Sequence, residues 1–397
     1  MPSAIVTGAT GILGREITLE LCSHPEQWDR IYTVSRSNTE DFGPRVKHAH
    51  LDLTGKPEDM ARNLEGVQAE YVFFAAYLQK DSEDEATRVN GDMLASFLKA
   101  LEINGVHTKI KRIILVCGAK NYGVHLGAVK IPMEETDPWM PEPPFPKNFY
   151  YRQQRILHEF CETHHTEWAV TYSTEVLGFA RGNFMNLASA IGIYAAVSKE
   201  LGDELVWPGS TEFYTAVTVF TDAKLHAQFC NWVALEPKAA NEAFNITNGD
   251  ADSWMNLWPR VAIYFGLRVP ADQFSRPTPL ASEKPLAPQP PLSLQADAAG
   301  LAGRTSQSFV RQRVDLQKWS QTKEVREAWK VMVEKDGLDA KALEKASWAF
   351  AGFAWGRDYS QIISMSKARK LGWTGYQDNW ENLERTLGEL RHSKVIP

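Results

Sequence analysis

Two adjacent tyrosines, Tyr150 and Tyr151, begin a predicted helix and offer a phenol for proton transfer or hydrogen bonding. A phenol in such a place can stabilise negative charge on a substrate oxygen when a nearby cation supports it. Many reductases that use a nucleotide cofactor carry this cation as a lysine four residues after the tyrosine. Gln154 and Arg155 occupy the two corresponding positions in this chain. The cation of such a site must therefore come from another segment.

A lysine that could supply this charge follows a predicted strand over residues 111–117. Lys120 lies in the next loop, CGAKNYG, and active sites of parallel α/β sheets lie at the carboxyl edge of the strands, where this loop is expected. The serine or threonine that usually stands near this strand end is absent, because residues 117–119 are Cys, Gly and Ala. The sequence thus offers Tyr150 and Lys120 as a pair without a neighbouring hydroxyl.

The segments that must position these groups alternate between short apolar strands and helices. This alternation predicts an α/β fold with a Rossmann-type, doubly wound parallel sheet and a smaller, mainly helical C-terminal substrate-binding or cap region. The predicted strands cover residues 3–7, 30–36, 48–53, 70–77, 111–117 and 166–174, with another within 242–250. The predicted helices lie within 8–24, 57–64, 84–103, 185–200, 222–235 and 311–346, and a further helix begins at the tyrosine pair.

A glycine-rich loop, GATGILG over residues 8–14, joins the first predicted strand to the first predicted helix. Glycines permit the tight turn there and let backbone amides approach a pyrophosphate, while the helix N-terminus adds a favourable partial charge. This context predicts the phosphate cradle of a dinucleotide cofactor. Its predicted contacts are Thr7, Gly8, Thr10, Gly11, Ile12, Leu13 and Gly14.

The end of the second predicted strand distinguishes between the two nicotinamide cofactors. An acidic residue there would bind the adenosine ribose and repel a 2′-phosphate, whereas this chain has Ser35, Arg36 and Ser37. A guanidinium between two hydroxyls suits the extra phosphate, which predicts NADPH. Further contacts with the cofactor are expected from Asp52, Leu53, Ala75, Ala76, Tyr77, Tyr150 and Val176.

The length of 397 residues fits a large α/β core with a smaller cap. We predict an NADP-binding Rossmann domain over residues 1–180, to which strands from about 215–250 contribute. Residues 181–397 are predicted to form mostly the substrate-binding or cap region. A segment rich in Pro, Ala and Ser, residues 276–294, is predicted to be a mobile loop or linker.

Charge and cysteine content argue against several other classes of function. The net charge of -6 gives no indication of a nucleic-acid partner. We find no signal peptide at the start and no later apolar stretch long enough to span a bilayer, so we expect no membrane association. The four cysteines are scattered and lack ligand spacing, which predicts reduced thiols in the cytoplasm and no metal site.

Several longer segments together resemble one enzyme family. They are GAKNY at 118–122, NFYY at 148–151, MNL at 185–187, YAA at 194–196 and NEAFNITNGD at 241–250. With these segments the chain is similar to the progesterone 5β-reductase/iridoid synthase-like enzymes, an atypical branch of the extended short-chain dehydrogenases/reductases. The resemblance implies that Lys120 and Tyr150 are the catalytic pair and that Tyr151 is a packing residue.

The resemblance also implies a reaction, namely the NADPH-dependent 1,4-reduction of the C=C bond of a hydrophobic α,β-unsaturated carbonyl compound. Hydride would reach the carbon β to the carbonyl, and Tyr150, supported by Lys120, would stabilise the enolate oxygen. Three features depart from the family pattern: Asn121 replaces a histidine, residues 173–175 (STE) replace Pro-Gly, and the region 276–310 is longer. The family's steroid and monoterpene substrates are therefore not carried over to this chain.

The substrate pocket is expected to be apolar, since aromatic residues are abundant near the expected lid. An apolar pocket favours a hydrophobic carbonyl compound over a sugar nucleotide, which would need more polar and basic groups. Trp348 and Trp355 belong to the same aromatic run as two of the predicted wall residues. The predicted walls are Tyr77, Phe184, Met185, Tyr194, Phe213, Phe350 and Phe353.

Three other functions are compatible with the same residues. The machinery could reduce an aldehyde or ketone by 1,2-addition, which would yield an allylic alcohol instead of a saturated carbonyl. It could also perform a non-redox isomerisation or cyclisation in secondary metabolism, without net consumption of NADPH. The third is a non-catalytic NADP-sensing regulator, although the Tyr150 and Lys120 pair argues against it. A homodimer is possible, and no segment demonstrates one.

Overall fold

The structure is a computed structural model that describes residues 1–36, 40–180, 185–275 and 279–397. All neighbouring strands of its central seven-stranded sheet run parallel. The inner strands are apolar and buried, as is typical of parallel sheets covered on both faces. In spatial order the strands are β3 (Val46–His50), β2 (Ile31–Ser35), β1 (Ala4–Thr7), β4 (Tyr71–Phe74), β5 (Arg112–Gly118), β6 (Glu167–Ser173) and β9 (Glu242–Ile246).

Helices cover both faces of this sheet and bury separate apolar clusters against it. On one face lie α1 (Ile12–Ser23) and α7 (Ala223–Leu235). On the other lie α2 (Pro57–Asn63), α3 (Glu83–Ile103) and α4 (Phe149–His164). This arrangement confirms the predicted doubly wound α/β fold.

The C-terminal half adds a mainly helical region around α5 (Leu187–Leu201), which is apolar around most of its circumference and buried accordingly. A second, three-stranded sheet is formed by β7 (Glu175–Leu177), β8 (Thr218–Asp222) and β10 (Ala251–Asp252), with β8 in the middle. The boundary near residue 180 between the NADP-binding domain and the cap region stays a prediction. The other helices are α6 (Thr211–Thr215), α8 (Trp254–Phe265), α9 (Leu316–Trp319), α10 (Lys323–Asp336), α11 (Ala342–Lys345), α12 (Trp348–Gly356), α13 (Ser366–Lys370) and α14 (Asn379–His392).

A two-stranded antiparallel sheet was not predicted from the sequence. Strand β11 (Ser282–Pro285) lies inside the segment predicted to be a mobile loop or linker, and it pairs with β12 (Phe309–Gln312), which overlaps only the first two residues of the range 311–346 predicted to contain helices. The helices α9, α10 and α11 lie within that range, as predicted. Val310 is buried and bridges to Arg357 at the end of α12, so packing selects an extended backbone at this β-branched residue. Residues 276–278 of the Pro-rich segment lie outside the described ranges.

Two strands of the main sheet, β3 and β4, end earlier than predicted. After β3, Asp52 accepts hydrogen bonds from the backbone nitrogen (2.9 Å) and the hydroxyl (2.7 Å) of Thr54, which begins a turn. After β4, the backbone nitrogen of Ala75 donates to Thr7 Oγ1 at 3.1 Å. Loop residues therefore follow both strands at the carboxyl edge of the sheet.

Candidate active site

The glycine loop between β1 and α1 leaves no room for side chains at two of its positions. A Cβ atom on Gly8, where φ is +68°, would lie 2.7 Å from the carbonyl oxygen of Ala75. A Cβ atom on Gly14 would lie 2.2 Å from the carbonyl oxygen of Gly8. The backbone nitrogen of Gly11 donates to that same oxygen at 2.9 Å, which closes the turn. The loop thus has the tight backbone and the adjoining helix N-terminus that a pyrophosphate cradle requires.

Other residues predicted to contact the cofactor lie around this loop. Ile12 is buried, and Leu13 and Val176 pack against the same small apolar cluster, so the segment after β6 lies against the start of α1. The buried side chain of Ile12 anchors the first turn of α1. The remaining predicted contacts here are half-buried: Thr10, Leu53 and Ala76.

The residues predicted to select NADPH lie at the ends of β2 and β3. Arg36 is exposed, and the carbonyl oxygen of Ser35 accepts a hydrogen bond from the loop after β3 at 3.0 Å. Hydrogen bonds from Thr54 lower the pKa of Asp52, with a smaller contribution from the positive charge of Arg36. The guanidinium of Arg36 therefore lies at this edge and is exposed to solvent. Ser37 lies outside the described residues.

Lys120 lies in a 3₁₀ turn (Ala119–Tyr122) directly after β5. Its ammonium donates to both carboxylate oxygens of Glu83, with Nζ–O distances of 2.7 and 2.5 Å, and lies 5.1 Å from the centre of the Phe149 ring. The side-chain amide of Asn148 donates to the carbonyl oxygen of Lys120 at 2.8 Å, which joins this turn to the start of α4. Burial lowers the pKa of Lys120, and the Glu83 carboxylate opposes this effect.

Tyr150 occupies the first turn of α4, whose N-cap is Asn148; the Asn148 side chain accepts a hydrogen bond from the Tyr150 backbone nitrogen at 3.1 Å. The Tyr150 ring packs against Phe149, which in turn packs against Tyr77, with centroid distances of 4.1 and 5.3 Å. A Cβ atom on Gly118 would lie 3.3 Å from Tyr150 Oη, so glycine at the end of β5 leaves space for this hydroxyl. Burial raises the pKa of Tyr150, which keeps the phenol protonated and able to donate.

Tyr151, the second tyrosine of the doublet, makes the contacts of a packing residue. Its buried hydroxyl donates to the carbonyl oxygen of Asn121 at 2.6 Å and accepts from the backbone nitrogen of Met140 at 2.9 Å. Gln154, at the position where related reductases carry lysine, is also buried. It bonds the Asn121 side chain at 3.0 Å and the Tyr172 hydroxyl at 2.6 Å. The helical position of the usual lysine therefore belongs to a buried hydrogen-bond network.

Two of the predicted pocket walls lie close to one arginine. The Arg357 guanidinium lies 4.5 Å from the ring centre of Phe213 and 5.7 Å from that of Phe353. Tyr359 is 5.9 Å from the same guanidinium, and its hydroxyl donates to the carbonyl oxygen of Val124 at 2.5 Å. The loop that follows Lys120 is thus linked to these aromatic residues.

Other predicted walls are placed elsewhere. Tyr194 is 4% exposed within the C-terminal core, where its hydroxyl donates to the carbonyl oxygen of Val206 at 3.1 Å and its ring packs against Trp319. This placement favours a packing role, because neither its ring nor its hydroxyl is left for a ligand. Phe184 lies outside the described residues. Two further residues are partly buried: Met185, ahead of α5, and Phe350, against the same core.

The described ranges show neither a metal-binding cluster nor a membrane-spanning helix. These ranges contain no group of three or more His, Cys, Asp or Glu side chains arranged to hold a metal ion. None of their helices combines the length and the apolar character needed to cross a membrane. The four cysteines are free thiols, of which Cys117, Cys161 and Cys230 are buried.

Comparison with known protein families identifies the chain. Residues 5–287 match the family model described as the PRISE-like Rossmann-fold domain. The chain belongs to the PRISE-like family. This confirms the family resemblance inferred from the GAKNY, NFYY and NEAFNITNGD segments.

Individual relatives align with this chain over nearly its full length. An uncharacterised protein of Schizosaccharomyces pombe is 39% identical, with 99% of this chain and 98% of that protein covered. A short chain dehydrogenase of Penicillium aethiopicum is 29% identical, with 100% of this chain and 99% of that protein covered. A 3-oxo-Δ(4,5)-steroid 5β-reductase of Arabidopsis thaliana is 25% identical, with 99% of this chain and 93% of that protein covered. The fold matches that of UDP-glucose 4-epimerase from Thermotoga maritima, with a TM-score of 0.61 at 16% identity over 98% of this chain and 99% of that one.

Two departures from the PRISE-like pattern acquire structural roles. The side chain of Asn121, in place of histidine, accepts a hydrogen bond from the Gln154 amide at 3.0 Å. Glu175, in the STE segment, pairs with the buried Arg357. Sequence reasoning missed these contacts and the carboxylate of Glu83. For Glu83 a signal existed, since the run SEDE is an acidic first helical turn next to a strand end.

Proposed function

We propose that this PRISE-like protein is an NADPH-dependent reductase of the C=C bond of hydrophobic α,β-unsaturated carbonyl compounds. The observation that carries the proposal is the convergence of Tyr150 and Lys120. Both contact Phe149, at the sheet edge where the glycine loop also lies. The steroid 5β-reductase named among the relatives supports a reduction of this class.

The cofactor site fits a dinucleotide with a 2′-phosphate. The crowding at Gly8 and Gly14 supports a loop built for close approach of backbone amides to a pyrophosphate. Arg36 is the proposed partner of the 2′-phosphate, because it is exposed at the end of β2 and no acidic residue follows that strand directly. The nicotinamide, when bound, supplies hydride chemistry.

The side chains of the chain itself would act on the substrate oxygen. Tyr150 donates a hydrogen bond to the carbonyl oxygen, where negative charge develops during 1,4-addition. Its raised pKa keeps the proton on the phenol until that charge appears. Lys120 supports the negative charge through its ammonium, and Tyr77 and Phe149 give this end of the site apolar walls. We further propose a hydrophobic small-molecule carbonyl compound as the binding partner and the cytoplasm as the compartment.

The proposal is tested by following NADPH oxidation with a cyclic enone, a linear enal and a steroid enone, with products identified by mass spectrometry. We expect a saturated carbonyl product, a preference for NADPH over NADH, and a loss of about 10²–10³ in kcat for Tyr150→Phe, as for removal of one oxyanion donor. Lys120→Ala should also reduce kcat. Tyr151→Phe is the matched control and should retain kcat, because its hydroxyl is buried and bonds the backbone of Asn121 and Met140 as a packing residue does.

The alternatives give different products in the same assay. An allylic alcohol would establish 1,2-reduction. Conversion of the substrate without NADPH oxidation would indicate an isomerase or cyclase. Tight NADPH binding without conversion of any compound would favour an NADP-sensing regulator and contradict the proposed reductase.

A further inference from the structure

Glu83 is a carboxylate inside the proposed site to which the reaction assigns no role. Both of its oxygens accept hydrogen bonds from Lys120 Nζ, at 2.7 and 2.5 Å. We propose that Glu83 is a positioning residue that holds the Lys120 ammonium at the sheet edge and maintains its positive charge for the reaction. This inference rests on the proposed reductase function.

The backbone around Glu83 fixes the position of its carboxylate. Ser82 caps α3, and its hydroxyl accepts a hydrogen bond from the backbone nitrogen of Glu85 at 3.2 Å. Helix α3 is also tied to α4, the helix of Tyr150: Arg152 binds Asp92 at 2.6 Å. Glu83 and Tyr150 therefore lie on two helices held together by direct contacts, and Lys120 lies at the end of the strand they cover.

The other titratable groups around Lys120 are neutral or paired elsewhere. Burial, with a smaller contribution from the Lys120 charge, lowers the pKa of His125 well below its usual value, so this ring carries no charge at neutral pH. Burial raises the pKa of the remaining neighbours, which are Tyr77, Cys117 and Tyr150. Asp84, next to Glu83, pairs with Lys147 at 3.0 Å. Within the described residues, Glu83 is thus the carboxylate that balances the tendency of burial to deprotonate Lys120.

The first test is the pH dependence of kcat for Glu83→Gln with the enone that turns over best. If the ammonium is required, activity falls as pH rises through the pKa of Lys120. Without the carboxylate that pKa drops, so the alkaline limb should move by roughly half a pH unit to lower pH, because one pH unit corresponds to about 1.4 kcal/mol and a partly exposed ion pair is worth about 0–1 kcal/mol. Activity on the acidic side of the limb should change little, and Glu83→Asp should restore part of the shift.

Asp84→Asn is the matched control, because it removes the neighbouring carboxylate, whose side chain is 77% exposed. We expect its alkaline limb to coincide with that of the wild type. A merely structural role of Glu83 would lower kcat at every pH and leave the limb in place, and that result would overturn the proposal.

A second test does not depend on catalysis. The rate at which acetic anhydride acylates Lys120 in the substrate-free protein, followed by peptide mass spectrometry, reports the free amine as pH rises. In Glu83→Gln the acylation midpoint should move to lower pH. A shifted midpoint in a protein that reduces no enone would disprove the reductase while Glu83 retained its effect on Lys120. If the acylation midpoint does not move in Glu83→Gln, the proposal for Glu83 is overturned. It is also overturned if the midpoint moves but the alkaline limb of kcat stays in place.

Discussion

Two carboxylate–cation pairs lie beyond neighbouring strands at the same edge of the sheet, and they differ in their access to water. Lys120, after β5, and its partner Glu83 have side chains that are 23% and 35% exposed. Glu175, after β6, and its partner Arg357 have side chains that are 6% and 2% exposed. Exposed pairs contribute little to stability, whereas breaking a buried pair leaves an uncompensated charge. The comparison separates a pair that is available for chemistry from one that holds the structure together.

The surroundings of the buried pair support this distinction. Arg357 also donates to Gln361, and its guanidinium lies over the Phe213 ring at 4.5 Å from the centre. Glu175 Oε2 and Arg357 Nε have no hydrogen-bond partner in the described part of the chain. The pair therefore depends on its single direct contact, which joins β7 to the end of α12 across 182 residues of sequence.

The largest effect is expected from Arg357→Met. It should lower the free energy of unfolding by about 3–5 kcal/mol, because it leaves the Glu175 carboxylate buried without its cation. Equilibrium unfolding in denaturant at neutral pH measures the change. Arg311→Met is the control, since Arg311 is 24% exposed in its ion pairs and should cost about 0–1 kcal/mol. Equal losses in the two variants would remove the contrast between buried and exposed pairs.

A smaller effect is expected in the pH dependence of the same variant. Burial raises the pKa of Glu175, and the Arg357 guanidinium opposes this. In Arg357→Met the folded protein should therefore bind a proton that the unfolded chain releases near pH ~4.3. Because the folded state then binds more protons, stability falls as pH rises through this window and recovers in acid.

The control for this pH dependence is the double variant Arg357→Met with Glu175→Leu, which lacks the titrating carboxyl. Its stability relative to the wild type should be nearly independent of pH on the alkaline side of the window. If the single variant shows the same flat profile, the cost of Arg357→Met arises from packing and not from the unpaired charge.

Local signals in the sequence predicted one of these pairs better than the other. The glycine loop and the position of Lys120 follow from strand ends, which short apolar runs reveal. The partner of Lys120 depends on where α3 begins relative to β5, a tertiary relation that the acidic run SEDE only suggests. The pairing of Glu175 with Arg357 has no local signal at all, because the two residues lie far apart in the chain.

The same limit explains why the sequence did not separate packing residues from wall residues among the aromatic side chains and did not reveal the small C-terminal strands. Tyr194 is an aromatic residue in an apolar stretch of sequence, and core residues and pocket residues both have these properties. Strand β12 was not predicted, because its pairing with β11 and its contact with α12 arise only after the chain folds. The residues assigned to the cofactor and to catalysis remain predictions until the proposed assays are made.

The smallest effect on stability is expected at the pair beside the proposed substrate. Glu83→Gln and Lys120→Met should each change the free energy of unfolding by only about 0–1 kcal/mol, because water reaches both side chains and screens them. Denaturant unfolding at low and high salt measures the change, and the double variant gives their coupling energy. A loss as large as that of Arg357→Met would assign a structural role to this pair as well. A small loss, together with a large fall in kcat, would mean that the charge of Lys120 is held for the reaction and contributes little to the fold.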